Sequence, residues 1–262
     1  SVAGPYGGHH AEAWELLRGD PAGFTAQARA AAQAGARVLF VSAEDLESLI
    51  FRPDLALRLI AALKDTGVTE VEFPLYVRRQ DKLFWSHHSE LSKHVFTDPL
   101  QMFSDVLRLG YLLIDNPRPW DAVTPYAYFC FDHGRHIPAF RDTLGAAALP
   151  TRTSVFDFDH LTGQPGDEIF ARMGLDRPLT GTEAARNSSL DIRELPGRYT
   201  ARFEKPFEVA GIPLDPGLRR MVYRRQKLRG SRKRAMSEAL IAAFADNHAR
   251  LLGDASLMGH RA

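Results

Sequence analysis

The chain has 262 residues, 45% of them hydrophobic and 25% charged, which excludes a disordered, collagen-like or disulfide-stapled protein. Lys and Arg (33) nearly balance Asp and Glu (32), so the overall charge gives no reason to expect a nucleic acid or an anionic membrane as a partner, and any anion site must be local. The single cysteine, Cys130, excludes an intrachain disulfide and a thiolate metal cage.

Helical and strand patterns alternate along the first part of the chain. They predict helices over residues 11–19, 22–35, 53–64 and 80–94, and strands over residues 36–42, 68–77 and 151–158. Strand, helix, strand, helix at this spacing indicates βαβ units, so the predicted fold class is α/β, with a parallel sheet flanked by helices. A mostly helical stretch precedes the last strand, and its aromatic run over residues 126–131 is expected in the core.

The remainder of the chain is richer in Gly, Pro and Arg. We expect an irregular segment over residues 178–216 and a closing helix over residues 231–252, within a basic, helical segment from about 213 to 252. No run approaches the roughly 20 apolar residues of a transmembrane helix, and the first ten residues lack the basic and apolar regions of a secretory signal. The expectation is a single cytoplasmic domain over residues 1–262 with no transmembrane segment.

An arginine and a serine flank the second predicted strand and its following helix. In a parallel α/β sheet, ligands bind at the carboxyl ends of the strands. Arg78 ends the strand and Ser86 lies two turns along the helix, so a guanidinium and a hydroxyl can converge on one phosphate near the start of the helix. The alternative is an arginine at the sheet edge and a serine on a solvated helix face.

These residues also carry a resemblance to a known family. The strand, arginine and later serine resemble the 3′-phosphate motif of sulfotransferases that use 3′-phosphoadenosine 5′-phosphosulfate (PAPS). The residues YVRRQD at 76–81 resemble even more closely the corresponding segment of bacterial sulfotransferase-like proteins associated with surface polysaccharides. The segments LFVSAEDL at 39–46, RNSSL at 186–190 and FADNHARL at 244–251 are similar to motifs that follow in the same order.

The resemblance implies a P-loop NTPase-like sulfotransferase architecture and PAPS as the sulfuryl donor, without a metal. It implies that Arg78 and Ser86 bind the 3′-phosphate, with Arg186 assisting. The sequence departs from the family at its opening strand and phosphate loop. No Gly-x-x-x-x-Gly-Lys-Ser/Thr stretch occurs here, and the most similar segment, residues 229–234, follows a basic helical stretch instead of a strand. We expect the first strand and loop to precede Ser1; the other possibility is a degenerate member that cannot hold the donor.

Two residues are candidates for the general base that would take a proton from the acceptor hydroxyl. Glu44 follows the first predicted strand, although Ser42 and Asp45 also fit a capping box in which Glu44 only favours the helix dipole. His10 follows His9 just before a helix; this pair could also be a tag remnant or a weak metal signal. His87 and His88 follow Ser86 and are expected to be partly exposed helix residues, whereas Tyr76, Phe84 and Trp85 are expected in the core rather than on an adenine ring.

The segment from Arg219 to Arg234 contains nine basic residues and no acidic one. Three interpretations compete: a solvated helix face, a cover over the donor's 3′-phosphate, and a docking surface for an acidic polysaccharide. A nucleic acid is not expected, because the recognisable nucleic-acid-binding motifs do not occur.

The sequence therefore predicts a sulfotransferase-like enzyme that moves a sulfuryl group from PAPS to a hydroxyl of a carbohydrate or small metabolite. One alternative is another transferase or kinase of P-loop type. The other is a noncatalytic protein of the same fold that binds a glycan or another anion. Acceptor specificity would lie in variable loops, for which residues 115–120 and 175–197 are the candidates, and neither the acceptor nor the oligomeric state follows from the sequence.

Overall fold

The structure, a computed structural model, describes residues 9–94, 98–115, 126–161, 163, 165–174, 208, 210–211, 213, 215–226 and 230–258. Its helices are α1 (His10–Leu17), α2 (Ala22–Gln33), α3 (Pro53–Leu63), α4 (Gln80–His94), α5 (Pro99–Leu109), α6 (His133–Leu144), α7 (Asp167–Arg172), α8 (Pro216–Gln226) and α9 (Gly230–Gly253). Its strands are β1 (Val71–Val77), β2 (Tyr111–Asp115), β3 (Tyr126–Cys130) and β4 (Thr151–Asp157). Short 3₁₀ helices span Glu44–Ile50, Lys64–Thr66 and Phe158–His160.

The fold is mixed α/β and mostly helical, with a small parallel sheet. β1 and β4 pair in parallel, in register from Val71 opposite Thr151 to Val77 opposite Asp157. The amide of Val155 in β4 also donates to the carbonyl of Leu257 at 2.6 Å. β2 and β3 form a second sheet of two strands. The parallel pairing of two predicted strands is therefore confirmed, while the larger P-loop NTPase-like sheet remains a prediction.

The chain divides into two compact units. The first comprises Ser1–Val77, Leu113–Leu179 and Asp246–Ala262, and the second comprises Arg78–Leu112 and Thr180–Ala245.

The core of the first unit is built by helices with an apolar stripe. α3 begins with Pro53 at a position that needs no amide donor, and its apolar residues recur at helical spacing, so one face is buried. That face packs with α1, α2, α6 and the paired strands; the fully buried members of this core include Leu16, Ile60, Ile137, Val155 and Leu257.

The second unit has its own buried side chains, contributed by α4, α5, β2 and the first half of α9. α5 is well delimited: the Asp98 side chain accepts from the Leu100 amide at 2.9 Å, and Gly110 ends the helix with φ +75°. The rings of Phe84 and Phe103 meet edge to face across α4 and α5, at 6.3 Å between centroids. The buried apolar residues here are Phe84, Leu91, Met102, Val106, Leu112, Met236, Leu240 and Phe244.

Two predicted elements are wrong. Residues 36–42 form no strand in the described part of the chain, and Val38 and Leu39 are 50% and 40% exposed. The backbone of Ser42 is bound by His9 instead: the His9 amide donates to the Ser42 carbonyl at 3.0 Å, and the Ser42 amide donates to His9 Nδ1 at 3.3 Å. An apolar run becomes a strand only when a neighbouring strand satisfies its backbone groups.

The second wrong prediction is the helical character given to the stretch around residues 126–131. Residues Tyr126–Cys130 form β3, in keeping with the preference of aromatic side chains for strands. The expected core position is confirmed for Cys130 and Phe131, which are both fully buried. Among the described helices, none is both long and apolar enough to cross a lipid bilayer.

Candidate functional site

The candidate anion site lies where β1 ends and α4 begins. Val77 is the last residue of β1, Arg78 and Arg79 follow, and α4 starts at Gln80, as predicted. Arg79 donates to the Asp81 carboxylate through Nε at 2.6 Å and through Nη2 at 3.1 Å. This two-point ion pair holds the Arg79 charge at the first turn of α4, where an acidic residue also favours the helix dipole. Arg78 is half-buried and directly follows β1.

The helix that follows Arg78 carries Ser86 and His87. Burial is the main cause that lowers the pKa of His87 to about 4; the charge of Glu90 opposes this shift and the charge of Arg78 contributes to it. Ser86 is six residues into α4, about 9 Å along its axis. The structure places the two predicted phosphate ligands, Arg78 and Ser86, in the same unit.

The two histidines that follow Ser86 in α4 are neutral. His88 is only 4% exposed, and burial lowers its pKa to about 4, with Lys233 adding to the effect and Asp98 opposing it. The expectation that His88 is partly exposed is therefore wrong, because Phe84 packs parallel to its ring. Trp85 donates from Nε1 to Ser237 Oγ at 2.9 Å, and the ammonium of Lys233 lies 4.8 Å from the centre of the Trp85 ring. Both imidazoles stay uncharged at neutral pH, so the positive charge here comes from arginine and lysine.

The candidate bases lie in the first unit. His10 Nδ1 is 2.7 Å from Asp45 Oδ2, with side chains 26% and 31% exposed. The His10 ring also packs against Trp14, at 6.1 Å between ring centroids. A carboxylate on Nδ1 holds the proton there and leaves the Nε2 lone pair free to accept another, which is the arrangement of a general base with an orienting acid.

Glu44 is exposed and opens the 3₁₀ helix Glu44–Ile50. The capping box considered for this segment does not form: Ala43 is the residue at the cap, no side chain caps the helix, and Asp45 is paired with His10. Asp45 lies one residue after Glu44, so the partner of His10 and the other predicted base are neighbours in this 3₁₀ helix.

A further acid in this helix, Glu47, was not singled out from the sequence. Its Oε1 accepts a hydrogen bond from the Cys130 amide at 2.6 Å. Burial raises the pKa of Glu47 to about 7, the hydrogen bond from Cys130 opposes this, and the charge of Glu44 adds to it. The sequence could have indicated Glu47 through its position three residues after Glu44, because residues three apart lie on the same side of a 3₁₀ helix.

Cys130 itself is not a nucleophile. It is fully buried, and burial raises the pKa of its thiol well above the ordinary value, with Glu47 and Asp132 acting in the same direction. A thiol that keeps its proton does not attack.

The third predicted phosphate ligand, Arg186, lies outside the described residues, as do the RNSSL segment and the candidate acceptor loop at 175–197. Within the described residues, no group of three or more His, Cys, Asp or Glu side chains is arranged to hold a metal ion.

Comparisons with protein-family models, with curated proteins and with solved structures found no match to this chain.

Proposed function

We propose that this chain is a sulfotransferase that transfers a sulfuryl group from PAPS to a hydroxyl of a carbohydrate or small metabolite. One observation carries the proposal: Arg78 directly follows a strand of a parallel pair, and Ser86 lies on the helix that begins two residues later. Carboxyl ends of parallel strands are where α/β proteins bind ligands, and a guanidinium with a hydroxyl near a helix start suits a phosphate.

In this proposal Arg78 and Ser86 hold the 3′-phosphate of the donor, with Arg186 assisting. A phosphate on the 3′-oxygen distinguishes PAPS from AMP, ADP and ATP, so a dedicated arginine at that phosphate is what selection of this donor requires. The 262 residues contain no glycine-rich loop that could bind the 5′-phosphosulfate. They therefore supply the half of the donor site that binds the 3′-phosphate.

The proposal assigns the base to His10 in preference to Glu44. The acceptor oxygen attacks sulfur, the bond from sulfur to the bridging phosphate oxygen breaks, and that oxygen keeps the electron pair. Nε2 of His10 takes the hydroxyl proton, while Asp45 holds the ring and stabilises the charge that develops on it. Glu44 is exposed, and within the described residues no side chain orients it as Asp45 orients His10.

The test is isothermal titration of the full chain with adenosine 3′,5′-bisphosphate and with adenosine 5′-monophosphate. We expect the bisphosphate to bind more tightly, since only it carries the 3′-phosphate. Arg78→Ala should weaken bisphosphate binding by at least about tenfold, as expected for loss of a charge-assisted phosphate contact, and leave the monophosphate unchanged.

Arg79→Ala is the matched control, because this neighbouring arginine is paired with Asp81. It should keep the preference for the bisphosphate. The site assignment is wrong if the two nucleotides bind equally, if neither binds, or if the two arginine variants behave alike.

A further inference from the structure

Two neighbouring histidines connect the start of α1 to the segment that begins at residue 42. The amide of His9 donates to the carbonyl of Ser42 at 3.0 Å, and the amide of Ser42 donates back to Nδ1 of the His9 ring at 3.3 Å. We call these two hydrogen bonds the His9–Ser42 clasp. The next residue, His10, places its Nδ1 2.7 Å from Oδ2 of Asp45. Two consecutive residues of one segment thus contact two residues of the other that are three apart.

The two rings use their Nδ1 atoms in opposite ways. Nδ1 of His9 accepts a hydrogen bond from an amide, so it carries no proton in this contact. Nδ1 of His10 faces a carboxylate, which holds a proton on that nitrogen and leaves Nε2 as the acceptor. The unprotonated nitrogen of His9 is already bound to Ser42, so of these two rings His10 is the one that can take a proton from a hydroxyl.

The clasp restrains a part of α1 that packing does not hold. The buried side chains of this helix all follow its first three residues; they are Ala13, Leu16 and Leu17. His9 stands at the N-cap position, but its ring makes no hydrogen bond to its own helix, and no other side chain among the described residues caps α1. A helix end without a side-chain cap leaves its first amides unsatisfied and frays. The hydrogen bonds to Ser42 therefore hold the turn that carries His10.

We propose that His9 is the positioning residue of the His10–Asp45 pair. The clasp fixes the start of α1 against Ser42, three residues before Asp45, and thereby sets Nδ1 of His10 against the carboxylate. The ring contact between His10 and Trp14 cannot supply this restraint, because both residues belong to α1 and move together. The inference rests on the proposed function in that His10 is the base, but the contacts themselves need neither donor nor acceptor.

The experiment is NMR spectroscopy of the full chain labelled with ¹⁵N, in the wild type and in three variants of residue 9. His9→Ala removes the ring. His9→Asn keeps a hydrogen-bond acceptor in place of Nδ1, because its Oδ1 is the same number of bonds from the backbone. His9→Ser is the matched control: serine is as favourable as asparagine at an N-cap, but its hydroxyl is too short to replace Nδ1.

Two signals are measured in each protein. The ¹⁵N chemical shifts of the His10 ring show which of its nitrogens carries the proton. Hydrogen exchange of the backbone amide of residue 9, which donates to the Ser42 carbonyl whatever the side chain, shows how often the clasp opens. The exchange rate is expressed as protection relative to the unfolded chain, so that the four proteins can be compared.

We expect the His10 proton on Nδ1 in the wild type, and His9→Asn should restore what His9→Ala loses. In His9→Ala and His9→Ser the amide of residue 9 should be about threefold to tenfold less protected, the range expected for loss of one neutral hydrogen bond. The fraction of His10 with its proton on Nδ1 should fall in the same two variants. Unchanged signals in His9→Ala would overturn the proposal, and so would equal behaviour of His9→Asn and His9→Ser, since the effect would then belong to helix capping.

Adenosine 3′,5′-bisphosphate is titrated into the wild type and His9→Ala to separate the clasp from the donor site. We expect equal affinities, because the clasp acts on His10 and not on the nucleotide; weaker binding by His9→Ala would contradict this role. Absence of nucleotide binding to both proteins would overturn the proposed function, whereas the two NMR signals decide on the clasp by themselves.

Discussion

The substitution Glu47→Gln tests the electrostatics of the segment that also carries Glu44 and Asp45. Burial and the charge of Glu44 together raise the pKa of Glu47 from 4.5 to about 7, even though its Oε1 accepts the Cys130 amide at 2.6 Å. Glutamine keeps the shape of the side chain, its amide oxygen can still accept that hydrogen bond, and it cannot ionise.

The sign of the effect follows from proton binding. Between its unfolded pKa of 4.5 and its folded pKa of about 7, Glu47 loses its proton in the unfolded chain and keeps it in the folded one. The free energy of unfolding therefore falls as the pH rises through this window. Each unit by which folding raises a pKa corresponds to about 1.4 kcal/mol, so the full loss is about 3 kcal/mol.

Urea denaturation at about pH 5 and about pH 8 measures this loss, with most of the 3 kcal/mol falling between those values. Glu47→Gln should be stabilised relative to the wild type by about 2 to 3 kcal/mol more at the higher pH than at the lower one. The control is Glu70→Gln, which removes an exposed carboxylate of the same unit. If the free energy of unfolding changed with pH in the same way in wild type and Glu47→Gln, ionisation of Glu47 would not destabilise the folded state, and the prediction would be refuted.

Two further predictions concern stability. The pKa of His88 is lowered from 6.5 to about 4, so between these pH values the unfolded chain binds a proton that the folded chain does not, and the free energy of unfolding falls as the pH drops. His88→Gln should reduce this loss by about 3 kcal/mol in urea denaturation at acidic pH. The same loss of stability at acidic pH in His88→Gln and wild type would contradict the prediction. A methyl group at Gly134 would collide with the backbone of Asn247, so Gly134→Ala should destabilise by roughly 2 kcal/mol or more, whereas Gly253→Ala, which meets nothing within 4 Å, should be close to neutral by thermal denaturation. Equal melting temperatures for the two alanine variants would refute the close approach.

The helices were the most predictable part of the fold. α4 begins and ends at the predicted residues, and α3 and β1 differ from prediction by at most three residues at either end. These elements have a clear apolar period and local start or stop signals, such as Pro53 at the first position of α3 and Gly67 after the helix. The failure at residues 36–42 has a different origin: a strand exists through its hydrogen-bonded neighbours, and the apolar run contains no information about which backbone will lie beside it.

The candidate site shows the same division between local and tertiary information. Ser86 lies on the helix that begins two residues after Arg78, so their spacing alone predicts a common ligand. The partner of His10 could not be predicted in this way, because Asp45 is 35 residues away and meets it only through the docking of α1 on the segment after residue 42. Glu47 depends in turn on β3, since its hydrogen bond comes from Cys130, 83 residues later. Sequence spacing thus identifies groups that act within one element, whereas the assignment of a base needs the contacts that orient it, and those contacts are what favour His10 over Glu44.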